Sequence, residues 1–182
     1  MSFMIGIGVL LEEAATNRLR QFELRLAKES GNWSALRQPP HITVKVPFPV
    51  NSTADIDKVS GIMAALAERT DNFEIELQGF GNFGDTTLYA AVKNTHELLN
   101  LSDQLIEEFT EPGEAREREQ RRMIFHSTVA KDLGTKEYEK ARKYLQHESL
   151  ALKARAQGLG LFLGIDNLQH WVVISEAPFK NI

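Results

Sequence analysis

A four-residue pattern, His-x-Thr-Val, occurs twice in this chain, as His41-Ile42-Thr43-Val44 and as His126-Ser127-Thr128-Val129, each time inside a short run of strand-forming residues. Side chains alternate faces along a strand. His41 therefore shares a face with Thr43, and His126 with Thr128, while Ile42, Val44 and Val129 turn to the opposite side and can enter a core. The two histidines lie 85 positions apart, and the helix signals that follow them, at Ser52 and Thr135, lie about 83 apart. Matched spacing of this kind points to a duplication. Two similar lobes would meet about a pseudo-twofold axis, with one His-x-Thr pair entering the shared cleft from each side.

The remaining periodicities fit that plan. Met4 to Leu10 reads as a buried strand, and Glu12 to Ser30 places Leu19, Phe22 and Leu26 on one helical stripe that Gly31 ends. Pro39-Pro40 forces an extended approach to His41. Ser52 and Asp55 form a capping box ahead of the apolar stripe Ile56, Val59, Met63 and Leu66. Phe73, Ile75 and Leu77 alternate with polar residues as a half-exposed strand, and Leu88 to Val92 is another. In the second half a helix carries Leu98, Leu101, Leu105 and Phe109, and the strand with His126 follows a loop from Thr110 to Met123. A helix then runs from Thr135 to about Gln146, and Leu150 to Ala156, Leu159 to Leu163 and Trp171 to Ser175 are expected as three strands. Each half thus reads helix, motif strand, helix, strand, strand.

Two imidazoles and two hydroxyls facing one cleft suit a phosphodiester. One imidazole takes the proton of the attacking oxygen, the other supplies one to the leaving oxygen, and the hydroxyls donate to the non-bridging oxygens. Histidine fits either role because its ordinary pKa lies near neutrality. Composition narrows the partners. A net charge of -4 argues against a face for duplex DNA, and the absence of cysteine removes disulfides and thiolate metal sites. No apolar run is long enough to span a membrane, and Met1 to Leu11 lacks a signal-peptide pattern, so a cytoplasmic location is expected.

The segment Pro39-Pro40-His41-Ile42-Thr43-Val44 closely resembles the first motif of the two-histidine (2H) phosphoesterases, which include the bacterial 2′-5′ RNA ligase-like proteins and cyclic nucleotide phosphodiesterases. Phe125-His126-Ser127-Thr128-Val129-Ala130-Lys131 resembles the second, with Ser127 where an apolar residue is more usual and Lys131 where an Arg often stands. Leu77 to Gly84 followed by Leu88 to Val92 resembles the family's linking strands. The resemblance implies an α+β, bilobal fold of one domain over residues 1–182, with halves of roughly 1–93 and 94–182. Two antiparallel β-sheets would flank a V-shaped central cleft, with helices outside. It further implies metal-independent cleavage or transfer at 2′,3′-cyclic or 2′-5′ phosphodiesters of nucleotides or RNA ends, without a cofactor. His41 and His126 would be acid and base, and Thr43 and Thr128 phosphate clamps.

Further candidates surround the motifs. Lys45 shares the parity of His41 and Thr43 and can attract phosphate, whereas Lys131 reaches the cleft only if its strand ends by Ala130. Phe48, Phe83 and Tyr89 are candidates for stacking on a base. Gly79, Gly81 and Gly84 read as a strand turn, with no helix directly after them to make a dinucleotide fingerprint. His96 and His147 fall at helix ends on the surface, and His170 has no motif around it. Arg116, Arg118, Arg121 and Arg122 alternate with glutamates as a mixed-charge loop, which can serve as lid, bridge or partner surface. Two other readings stay open: a metal-dependent hydrolase using the two histidines with Asp132, and a non-catalytic RNA or nucleotide-binding module that keeps the same cleft.

Overall fold

The structure is a computed structural model that describes residues 2–109 and 124–181; the arginine-rich loop lies outside the described residues. Among the described residues seven strands form one hydrogen-bonded antiparallel sheet. They are β1 (Phe3–Leu11), β2 (Ile42–Val50), β3 (Phe73–Phe83), β4 (Thr87–Val92), β5 (His126–Ala130), β6 (Ala151–Ile165) and β7 (His170–Pro178). Among the described residues four α-helices accompany them: α1 (Glu13–Ser30), α2 (Thr53–Ala67), α3 (His96–Phe109) and α4 (Thr135–Leu145).

The α+β class is as the sequence implies, but the two sheets expected from the resemblance are wings of a single sheet that share β6. One edge of β6 pairs with β1 from Ala156 to Gly164. The other edge pairs with β3 over Ala151–Ala156 and then with β7 over Gly158–Ile165. The first wing is thus β2-β1-β6-β7 and the second β6-β3-β4-β5. Leu150 to Ala156 and Leu159 to Leu163, expected as separate strands, are joined because Gln157-Gly158 continues the ladder instead of turning. Gly158 is required there: a Cβ on it would lie 2.5 Å from the Ala177 carbonyl oxygen. Gly79 and Gly81 likewise sit within β3, Gly79 as an irregularity at φ 73°, and only Gly84 (φ 53°) occupies the turn.

Helices and wings are exchanged along the chain. Helix α1 leaves β1 of the first wing and packs on α4 and β5 of the second, whereas α3 leaves β4 of the second wing and packs on β2 of the first. Helix α2 covers β6 and β7. Each wing is therefore built from both halves of the sequence. Local signals set the helix ends: Gly31 in the left-handed region (φ 84°) caps α1 by donating to the Ala27 carbonyl, and Ser52 and Asp55 close the capping box of α2. Ile5, Ile7 and Val9 of β1 and Leu159 and Leu161 of β6 are fully buried beneath the helices, each contributing roughly 1.5–3 kcal/mol. The alternate positions Gly6, Gly8 and Gly160 face the other side, where the wings enclose the cleft.

Two substitutions test this packing with opposite signs. Gly158→Ala is expected to lower unfolding stability by about 1–3 kcal/mol through the clash with β7. Ser127→Ala is expected to raise it by about 1 kcal/mol, because the fully buried Ser127 hydroxyl has no hydrogen-bond partner among the described residues. Urea unfolding midpoints report both.

Candidate active site

The two motif histidines are held in the same way. Pro39-Pro40 brings the chain extended into β2, and Nδ1 of His41 lies 2.8 Å from the Pro39 carbonyl oxygen. At the head of β5, Nδ1 of His126 lies 2.7 Å from the Ile124 carbonyl oxygen. A carbonyl oxygen only accepts, so Nδ1 carries the proton in both rings and Nε2 of each neutral imidazole holds the lone pair. Thr43 and Thr128 follow two residues on, on the same faces as their histidines, while Ile42, Val44, Ser127 and Val129 are buried on the opposite faces.

His41, Thr43 and Thr128 line one cavity of about 270 Å³ between the wings. Its floor is cleared for the imidazole: a Cβ on Gly8, which pairs with Thr43, would come within 2.8 Å of His41 Cδ2. Phe162 of β6 lies under the same ring, with centroids 4.2 Å apart. On the second wing His126 packs against Phe83 and Tyr89, at centroid distances of 4.9 and 5.2 Å.

Burial makes these groups poor hosts for charge. It drives His41 down to about 4, helped by the positive charge of His126 and Lys131 and opposed by the Pro39 carbonyl. His126 is lowered too, by burial against the pull of the Ile124 carbonyl. Lys131 is lowered by burial, with the Arg37 charge adding to the shift and Asp132 opposing it.

The other candidates divide. Lys45 is buried and lines the cavity, its ammonium 5.2 Å from the Phe48 ring centre. Strand β5 does end at Ala130, and Lys131 turns into the cavity, donating to the Gln38 side-chain oxygen at 3.2 Å. Tyr89 pairs with Thr128 across β4 and β5 and stacks with Phe83 at 4.5 Å, covering Gly81. Phe48 is corrected: it pairs opposite Ile5 on the core side of β2 and stacks on Phe109 of α3, so it is closed to a base. Asp132 borders the cavity; among the described residues no three His, Asp or Glu side chains gather in a metal-holding group. His96 opens α3, His147 follows α4, and His170 pairs with Asp166 at the β6–β7 hairpin.

Sequence reasoning missed Phe162, Gln38 and Trp171, all of which border the cavity. The alternation of glycine with apolar residues in Gly6-Ile7-Gly8 and Gly158-Leu159-Gly160 is the signal that marks the cleared floor. It also missed Glu23 on α1, 1% exposed and paired with Arg20 Nη1 at 2.5 Å. Burial pushes Glu23 up to about 8 against the pull of Arg20. Nη2 of Arg20 donates to the Gln38 carbonyl at 2.9 Å, so this pair braces the segment leading to His41.

His41, Thr43 and Thr128 border one cavity, and His126 stands beside it on β5, near enough for its charge to act on His41. The family model of the 2′-5′ RNA ligase superfamily matches residues 11–164, and the chain belongs to that superfamily. No curated protein matches it. Among solved structures it is similar to TT0787 of Thermus thermophilus, with 14% identity, 98% of each chain covered and a TM-score of 0.67. It is also similar to E. coli LigT in apo form, with 10% identity, 99% of each chain covered and a TM-score of 0.61. The complex of E. coli LigT with NADP+ matches at 13% identity and a TM-score of 0.59, covering 99% of this chain and 96% of that one. At these identities the likeness is one of fold. Among the described residues no helix is long and apolar enough to cross a membrane.

A depressed histidine makes stability depend on pH in a definite sense. Between about pH 6.5 and 4 the unfolded chain binds a proton that folded His41 refuses, so its contribution is present above pH 6.5 and is lost as pH falls toward 4. Replacing His41 by Asn, which can still donate to the Pro39 carbonyl, is expected to flatten that part of the profile. Urea midpoints of both proteins at pH 4.5, 5.5 and 7 measure it.

Proposed function

We propose that this chain is a metal-independent phosphoesterase, working in the cytoplasm on 2′,3′-cyclic or 2′-5′ phosphodiester bonds of nucleotides or RNA ends. The observation that carries the proposal is the shared geometry of the two histidines. Each Nδ1 is tied to the carbonyl two residues upstream, and the two rings lie close enough for the charge of one to lower the pKa of the other. Complexes of E. coli LigT with 3′-AMP, ATP and NADP+ support a nucleotide ligand.

His41, the more strongly depressed, is the base. Its Nε2 takes a proton from water as the water oxygen bonds to phosphorus. The bond from phosphorus to the leaving ribose oxygen breaks, and that oxygen takes the Nε2 proton of a charged His126. Water is consumed, a phosphomonoester and a free hydroxyl result, and the proton passes back between the histidines through solvent. Thr43 and Thr128 donate to the non-bridging oxygens. Lys45 and Lys131 offset their charge, and Tyr89 borders the ligand beside His126. The anionic substrate itself raises both imidazoles and so favours charging His126.

Hydrolysis of a panel of 2′,3′-cyclic nucleotides and 2′-5′ dinucleotides in excess chelator tests this. His41→Asn and His126→Asn are each expected to lose about a hundredfold or more in kcat, and Thr43→Val and Thr128→Val about ten- to a hundredfold in kcat/KM. Tight nucleotide binding without turnover would instead establish a binding module. The pH profile checks the roles. With both histidines depressed in the free protein, kcat/KM is expected to be bell-shaped with its maximum below pH 6.5, and kcat, governed by the charged complex, to peak at higher pH. A kcat/KM maximum above pH 7.5 would overturn the assignment.

A further inference from the structure

Lys131 stands in the cavity against three physical tendencies. Had β5 continued, strand parity would place it on the face opposite His126 and Thr128. Burial disfavours its charge, and the charge of Arg37 acts on it in the same sense, with Asp132 opposing them. It nevertheless borders the same space as His41, Thr43 and Thr128. We propose that the connection between α1 and β2, residues 31–41, is a clamp that holds Lys131 in the cavity, and that Gln38 is the positioning residue that sets its ammonium on the phosphate. The proposal rests on the phosphodiester reading of the cavity.

The clamp grips at two points, one on either side of the short 3-10 helix Ser34–Arg37. At the first, Asn32 Nδ2 donates at 3.0 Å to the carbonyl of Asp132, the residue after Lys131. Asp132 lies in the left-handed region, φ 55°, which a residue other than glycine keeps where its surroundings enforce it, and there the chain leaves the line of β5. Asn32 is itself locked. Its side-chain oxygen accepts from the Ser34 amide at 2.9 Å, and Nδ2 also donates to Glu137 at 3.0 Å. At the second point, Oε1 of Gln38 accepts from Nζ of Lys131 at 3.2 Å. An ammonium only donates, so this contact fixes which end of the amide faces it. Gln38 cannot follow the lysine outward, because its carbonyl accepts from Nη2 of Arg20 at 2.9 Å and Arg20 is anchored on the buried Glu23. Backbone and ammonium of the one lysine are thus held by a single segment from the other half of the chain.

Gln38→Met keeps the length of the side chain and removes the acceptor. In calorimetric titrations with inorganic phosphate, Lys131→Met is expected to weaken binding about tenfold, the scale of one charged hydrogen bond, and Gln38→Met about threefold or more. Added to Lys131→Met, Gln38→Met is expected to change nothing, because a residue that acts through Lys131 then has nothing to place. An equal loss in both backgrounds, or no loss in either, overturns the proposal. A second readout needs no ligand. Among the described residues, the charged or titratable groups around His41 are His126, Lys131, Lys45 and Asp132, while β1 contributes glycines and β6 and β7 contribute Phe162 and Trp171. The Lys131 charge lowers the pKa of His41, so freeing the ammonium to solvent is expected to raise the His41 midpoint in an NMR titration of its imidazole. The rise is expected in Gln38→Met and in Lys131→Met, with no further rise in the double variant. If the midpoints move in this way and phosphate binds none of the proteins, the clamp stands and the phosphodiester reading alone fails. A His41 midpoint that Gln38→Met leaves unchanged overturns the clamp.

Discussion

Strand β6 is the constraint on which the cleft depends. Along one edge it pairs with β1, and along the other first with β3 and then with β7. A strand paired on both edges cannot slip by one residue without reversing every side chain's face. Its register therefore fixes which residues of both wings look inward. Gly8 of β1 is paired with Gly160 of β6 on one side and Thr43 of β2 on the other, so the first histidine motif is indexed to β6 through two ladders. Tyr89 of β4 pairs with Thr128 of β5, and β4 reaches β6 through β3. The two motifs meet because both are counted from one strand.

The exchange of helices between wings strengthens this coupling. Because α1 begins on the first wing and buries Leu19, Phe22 and Leu26 against the second, parting the wings would strip apolar surface from water-free contact as well as break the β6 ladders. Side chains carry the coupling into the cleft itself. Asn32, just past α1, donates to the Asp132 carbonyl and to Glu137 at the start of α4, and Lys131 meets Gln38 across the cavity. The loops bearing Lys131 and His41 are thus tied to each other across the cavity.

The parts legible in the sequence are those that depend on near neighbours. The parity of His41 with Thr43, the capping box at Ser52 and the glycine stop at Gly31 each follow from residues within one or two turns, whereas the entry of Lys131 into the cavity hung on where β5 ends. What was hidden depends on distant ones. Gln157-Gly158 carries a turn-like composition, and only the Ala177 carbonyl approaching from β7 shows that glycine is there for closeness, not for turning. Phe48 shares the parity of Ile42 and Val44, but only its place opposite Ile5 and against Phe109 of α3 shows that it is packed and closed to a base. Phe162 and Trp171 belong to strands more than a hundred residues from His41, and no local periodicity can bring them to it.

Duplicated geometry need not give equal chemistry. Both imidazoles use the same upstream carbonyl bond, which favours the charged ring and so opposes the shift in each. The difference lies in what surrounds them. His41 is set on Phe162 over a glycine floor and feels Lys131 and His126, whereas His126 stands at the edge-on ring of Phe83 beside Tyr89. Desolvation is accordingly greater at His41, which is lowered to about 4, while His126 is lowered by burial against the Ile124 carbonyl. On the proposed function an acid and a base working in one turnover would use such a separation, which comes from burial acting unequally on the two motif histidines.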